Sequence, residues 1–315
     1  MSIKPSLRLS IIVLINVFIF YVIFYWAKDN INVDLLLTSL RNIRLTPVIL
    51  AFTIGCILLL VYAKRLSFII AKSTQDSFKI VTISFGANNL LPFRLGDGIA
   101  LIYAKKILNI SMAKLLIGKV LEKYLDLCFV LLVGLFALTY NVFDSGLKDR
   151  IWSNVFLIGA VLLFISFAIT LLSRKRWLIE KLTSIGPIGQ LFSQFRELRN
   201  SVKLTKVLLF SMLIWAFTVI QVYLFFDVYF YDSNFGLSDA FVIVFITSIS
   251  LGIPSAPGGL GLFEAAIVFY LSTFLKITVE DALVAAFILH LIMAVPQIIL
   301  CILYTSFASL SKRIA

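Results

Sequence analysis

Arg94 and Asp97 share one short motif, Lys119, Glu122, Lys123 and Asp126 crowd the helical pattern that follows it, and Glu264 stands far downstream. All seven lie in or beside strongly apolar stretches. An ionised side chain at bilayer depth costs a few kcal/mol even on lenient scales, so such groups face a bundle interior and pair there. At helical spacing Lys119, Glu122 and Asp126 share a face, with Lys123 on its flank. Either these groups pair inside the bundle, or the span starts later and they snorkel to the interface. Arg94 has a planar, two-pronged guanidinium suited to a phosphodiester. Asp97 and Glu264 are placed to pair with Arg94 or Lys119, or to meet a cationic headgroup.

Two Pro/Gly-broken segments, 165 residues apart, must position these groups. The first runs Ile83-Ser84-Phe85-Gly86, then Leu91-Pro92-Phe93-Arg94-Leu95-Gly96-Asp97; the second runs Ile249-Ser250-Leu251-Gly252, then Pro254 and Pro257-Gly258-Gly259-Leu260-Gly261-Leu262-Phe263-Glu264. Pro92, Gly96, Pro254, Pro257, Gly258, Gly259 and Gly261 are the expected breaks. Matched, interrupted apolar segments in the two halves of a membrane protein point to a transport site.

The surrounding chain is that of a membrane protein. It is 61% hydrophobic and 14% charged, with mean hydropathy +1.05. Its apolar runs reach the ~20 residues a spanning helix needs, and they are continuous where a β-barrel would alternate. The fold class is all-α, a polytopic helix bundle, one transmembrane domain over residues 1–315. The net charge of +12 lies in loops beside spans, which points to anionic headgroups at the cytoplasmic face and away from nucleic acid. Cys56, Cys128 and Cys301 are scattered, and no cluster has metal-ligand spacing, so neither disulfide, metal nor cofactor is expected.

Spans are expected at 9–27 (a retained anchor), 47–63 (ended by Lys64-Arg65), 115–140, 153–172, 205–226 and 282–307. A basic surface helix is expected over 98–113 and a cytoplasmic amphipathic connector over about 174–204. The positive-inside rule puts both termini in the cytoplasm and the loops at 28–46, 141–152 and 227–239 outside. The broken segments then enter from opposite sides. This is an inverted repeat, about 9–140 and 153–308, with two re-entrant segments. His290, the single histidine, reads as a packing group. Gln221, Asp227 and Gln297, the last beside Pro296, are lesser candidates for a pathway.

The stretch Asn89-Leu90-Leu91-Pro92-Phe93-Arg94-Leu95-Gly96-Asp97 with Gly118-Lys119-Val120-Leu121-Glu122-Lys123-Tyr124-Leu125-Asp126 resembles the first signature of the lysylphosphatidylglycerol synthase transmembrane-region family. Pro257-Gly258-Gly259-Leu260-Gly261-Leu262-Phe263-Glu264 is similar to its second, Pro-Gly-Gly-x-Gly-x-x-Glu. The family usually has Glu at position 97 and Arg at 123. The resemblance implies a flippase-like protein of the inner or plasma membrane that handles a phospholipid or lipid-linked headgroup. Arg94 with Lys119 or Lys123 would hold the phosphate; Asp97, Glu122 and Glu264 would balance the charge. Two other expectations stand beside this: a membrane-embedded transferase acting on polyprenyl-phosphate sugars, and a non-transporting envelope scaffold.

Overall fold

The computed structural model describes Tyr21, Tyr25 and residues 31–139, 203–231, 233–253 and 256–314. The expected spans 9–27 and 153–172, most of the connector at 174–204, and Pro254 lie outside these residues. The described chain is helical: α1 (Val33–Arg41), α2 (Leu45–Ile70), α3 (Thr74–Leu90), α4 (Leu95–Leu108), α5 (Met112–Thr139), α6 (Leu204–Tyr229), α7 (Leu237–Gly252), α8 (Leu262–Phe274) and α9 (Val279–Ile314). Short 3₁₀ turns, Pro92–Arg94 and Pro257–Gly259, join α3 to α4 and α7 to α8.

Leu45–Ile70, Leu204–Tyr229, Pro257–Phe274 and Val279–Ser306 are long and apolar enough to cross a membrane. Exposed apolar side chains such as Ile49, Phe52, Leu60, Leu209 and Met212 coat α2 and α6. A surface that apolar belongs against lipid. The chain is a multi-pass membrane protein.

Each broken segment folds back as a helical hairpin. In the first, Tyr103 on α4 comes within reach of the Asp76 charge at the start of α3, and Ser84 meets Asp97 near the tip. In the second, Tyr270 on α8 donates to Asp239 at the start of α7, at 2.6 Å. The two hairpins thus repeat one plan, with an aspartate in the first turn of the outgoing helix facing a tyrosine on the returning one. The expected surface helix over 98–113 is corrected here. Residues 95–108 form the return arm, because Gly96, Ala100 and Ala104 make a small-residue stripe that is buried. A Cβ at Gly96 would collide with the backbone of Ser84 and Asn88, so only glycine permits this approach.

The hairpins enter from opposite ends. Phe68, late in α2, packs on Phe210, early in α6, with ring centroids 5.6 Å apart. At the other end Arg44 stacks over Tyr231 at 4.2 Å. Chain direction therefore starts α3 from one end of the bundle and α7 from the other, as an inverted repeat requires. Each hairpin has its own apolar cluster, around Ile69, Ile83 and Ala104 for the first and around Phe226, Ile243 and Ile267 for the second.

The second span also runs longer than its charges suggest. α2 continues through Lys64-Arg65 to Ile70, and Arg65 is only 1% exposed. The helix does not stop there because Arg65 finds carboxylate partners inside the bundle.

Candidate functional site at the junction of the two hairpins

Both tips share a backbone that only one is built for. Pro92 and Pro257 open the 3₁₀ turns, and the next two residues are left-handed in each: Phe93 (φ 61°) and Arg94 (φ 56°), against Gly258 (φ 65°) and Gly259 (φ 78°). Glycine adopts this conformation freely, whereas a residue with a Cβ pays roughly 1–2 kcal/mol. The first tip therefore holds two large side chains in costly backbone. Strain of this kind persists where the surroundings over-determine it, typically at functional sites.

The tips meet. The Arg94 guanidinium donates to the carbonyl of Leu251 in the last turn of α7. A cation suits that place, since unpaired carbonyls gather at a helix C-terminus. Beside it, a Cβ on Gly258 would stand 3.0 Å from Asn89 Oδ1 and 3.4 Å from His290 Nε2. Asn89 Nδ2 donates to Gln297 Oε1 at 2.8 Å, tying α3 to α9 next to the helix-interior Pro296.

Around the meeting tips lies a cavity of about 460 Å³, walled by both repeats. Phe93, Arg94, Lys123, Asp126, His290 and Gln297 are among its lining residues. A smaller cavity of about 110 Å³ adjoins the charged side, with Asp97, Lys119, Glu122, Lys123 and Asp126 in its wall.

The charges between them are arranged in pairs. Arg65 Nη1 reaches Asp126 Oδ1 at 2.6 Å and Nη2 reaches Oδ2 at 3.3 Å, a two-pronged contact. Arg65 also approaches Glu122 at 3.6 Å and Ser211 at 3.3 Å. Lys119 Nζ lies 3.0 Å from Asp97 and 3.7 Å from Glu122. Asp97 further accepts from the Ser84 hydroxyl at 2.5 Å and from Asn88 Nδ2 at 3.4 Å. Three cations (Arg65, Lys119, Lys123) thus face three carboxylates, and the only one of the six without an ion pair among the described residues is Lys123. Its side chain is exposed to the cavities.

A model of the lysylphosphatidylglycerol synthase transmembrane region matches residues 13–301. The chain belongs to that family. No curated protein and no solved structure matches the chain. The match covers both hairpins and the whole charged cluster.

In this family member the residues singled out by sequence separate into three groups. Arg94, Lys123 and Asp126 line the larger cavity, while Asp97, Lys119 and Glu122 stand behind them as partners. Glu264 belongs to neither. It sits at the third position of α8, as Asp97 does in α4, but it does not pair with Arg94 or Lys119 as expected. Its Oε2 instead accepts the Gly261 N–H at 2.7 Å, and its Oε1 lies 2.5 Å from His290 Nδ1. The reason is spacing: four residues lie between Pro92 and Asp97, and six between Pro257 and Glu264. The two extra residues give α8 a Gly261 N-cap, and capping claims the carboxylate.

Gly96 packs the first hairpin; Pro92, Pro257, Gly258 and Gly259 form the turns, and Gly261 starts α8. Gln221 Nε2 donates to the Ala51 carbonyl at 2.7 Å and lines the cavity, as does Gln297. Arg65 is the residue sequence reasoning missed. The signal was present: apolar residues resume at once after Lys64-Arg65, with no Gly, Pro, Asn or Asp before Lys72-Ser73.

Proposed function

We propose that this protein moves a phospholipid or lipid-linked headgroup between the leaflets of the cell's inner or plasma membrane, with both termini cytoplasmic, and does no covalent chemistry on it. The observation that carries this reading is the cavity between two oppositely entering hairpin tips, apolar over much of its wall but holding Arg94 and the unpaired Lys123. A phosphate in the cavity would meet Lys123 as a point charge and Arg94 as a fork. Arg94 would have to leave the Leu251 carbonyl to do so. Headgroup binding would then loosen the contact that joins the tips, and one repeat would rock against the other around the site. Asp97, Glu122 and Asp126 balance Arg65, Lys119 and Lys123 in number, so that the net charge of the cluster with Arg94 is one positive, presented to the cavity by Arg94 and the unpaired Lys123. Irregular backbone at membrane depth is tolerated where it lines such a cavity, which supports reading both hairpins as re-entrant.

Native mass spectrometry of the purified protein checks the site. Wild type should carry a phosphate-containing lipid that Lys123→Ala or Arg94→Ala loses. A folded Lys123→Ala, Arg94→Ala double variant that retains lipid to the same extent would contradict the assignment.

A further inference from the structure

Glu264 and His290 form a contact that the lipid reading leaves unused. Both are nearly buried, at 6% and 8% exposed. His290 Nδ1 faces the Glu264 carboxylate at 2.5 Å, while Glu264 is fixed on its other oxygen by the Gly261 N–H. A carboxylate in that position selects the tautomer with hydrogen on Nδ1. That leaves Nε2 as the acceptor. Nε2 has no hydrogen bond among the described residues, His290 lines the larger cavity, and Gly258 at the hairpin tip adds no side chain in front of it. The Phe263 ring packs on the imidazole, with centroids 4.8 Å apart.

We infer that the Glu264–His290 pair is a proton-binding site that loads together with an anionic headgroup, so that the protein carries one proton with each lipid. The inference rests on the transport reading. Ionisable groups inside a membrane domain that face a wet cavity are the usual parts of proton pathways. A proton enters from cavity water onto Nε2, the imidazolium keeps its Nδ1–H on Glu264, and the same proton leaves from Nε2 when the cavity opens to the other side.

The field around the pair sets the coupling. From α8 the only ionisable group facing His290 is Glu264. The other titratable or charged residues in the cavity wall are Tyr62 from α2, Arg94 from the first tip, and Lys123 and Asp126 from α5; α3, α6 and α7 contribute neutral side chains there. Arg65, Lys119 and Lys123 are balanced in number by Asp97, Glu122 and Asp126, so the net charge that Arg94 and Lys123 set against a further positive charge on His290 is that of one cation. A phosphate bound between them removes that opposition. Proton and phosphate then strengthen each other's binding by the same factor, as linkage demands. The loaded unit, one phosphate charge and one proton, is neutral.

The test uses the full-length protein in vesicles containing fluorescently labelled phosphatidylglycerol, with the membrane potential clamped and a pH difference of about one unit imposed. One proton per lipid allows a leaflet ratio of up to about tenfold, since a tenfold ratio corresponds to 1.36 kcal/mol. Wild type should accumulate label in the leaflet facing the alkaline compartment. His290→Gln and Glu264→Gln should bring it to an even distribution. Glu264→Gln keeps an oxygen for the Gly261 cap, so it guards against loss of fold in the other variant. A wild type that redistributes lipid but ignores the pH difference overturns the proton site and leaves the transport reading standing. A wild type that moves no lipid overturns both.

Discussion

Arg94, on the first hairpin tip, donates its guanidinium to the backbone carbonyl of Leu251, the penultimate residue of the helix leading to the second. One side chain thus spans the two repeats at the place where both chains break. It does so from a left-handed backbone that the matching tip reserves for glycine. On the proposed reading Arg94 would exchange this helix-end carbonyl for an incoming phosphate, and headgroup binding would then be tied to the hold between repeats.

The backbone cost at Arg94 can be separated from its contacts. Arg94→Gly and Arg94→Ala lose the same side chain, but only alanine keeps the left-handed penalty. The glycine variant should therefore be the more stable of the two by about 1 kcal/mol in thermal unfolding in detergent, with both defective in lipid movement. Equal stabilities would mean that the left-handed conformation at 94 is not costly.

Lys119 and Lys123 are one helical turn apart and should respond oppositely. Lys119→Ala strips Asp97 of its cation and should cost roughly 1–3 kcal/mol of stability. Lys123→Ala breaks no ion pair, so stability should stay within about 0.5 kcal/mol while anionic lipid is moved more slowly. Unfolding midpoints and transport rates for the pair check this; a destabilised Lys123→Ala would show that the lysine has a structural partner.

Arg65 should be the most sensitive charge in the bundle. Arg65→Met leaves Asp126 uncompensated and Glu122 with Lys119 alone, and should cost about 3–5 kcal/mol. Adding Asp126→Leu removes the stranded charge and should recover part of that loss. A double-mutant cycle on unfolding free energies measures the recovery, and simple additivity of the two losses would argue against the pairing.

Gly86 lets α3 lie directly on α9. A Cβ there would run into the backbone of Gln297 and the side chain of Cys301. Gly86→Ala should destabilise by about 1–3 kcal/mol, because backbone cannot yield as a side chain can. An unchanged unfolding midpoint would show that the two helices sit farther apart.

Much of this plan was legible in the chain. Pro92 and Pro257 with their flanking leucines and glycines marked both tips, and the charge distribution implied opposite entry. The hidden parts share one cause, which is that they depend on partners far away in sequence. Lys64-Arg65 reads as a helix end until Asp126, 61 residues on, is known to face it. Glu264 and His290 lie on different helices, and nothing local distinguishes a paired histidine from a packing one. The left-handed turn at Phe93-Arg94 was masked for another reason: two bulky residues are a poor signal for positive φ, and only its glycine counterpart at 258–259 makes it readable. Residues 98–113 misled because Lys105 and Lys106 suggest a surface helix, while the Gly96, Ala100 and Ala104 stripe that buries the other face is inconspicuous.

The central claim is that lipid passes between leaflets through the cavity at the two tips. The most direct measurement reconstitutes the purified protein in vesicles with a headgroup-intact, fluorescently labelled phospholipid and follows the fraction accessible to an impermeant quencher. Protein-containing vesicles should expose inner-leaflet label over time, the Arg94→Ala, Lys123→Ala double variant should do so at least about tenfold more slowly, equivalent to about 1.4 kcal/mol of barrier, and the recovered lipid should be chemically unchanged. Label that stays in its leaflet, or a headgroup that is altered or transferred, would contradict the claim.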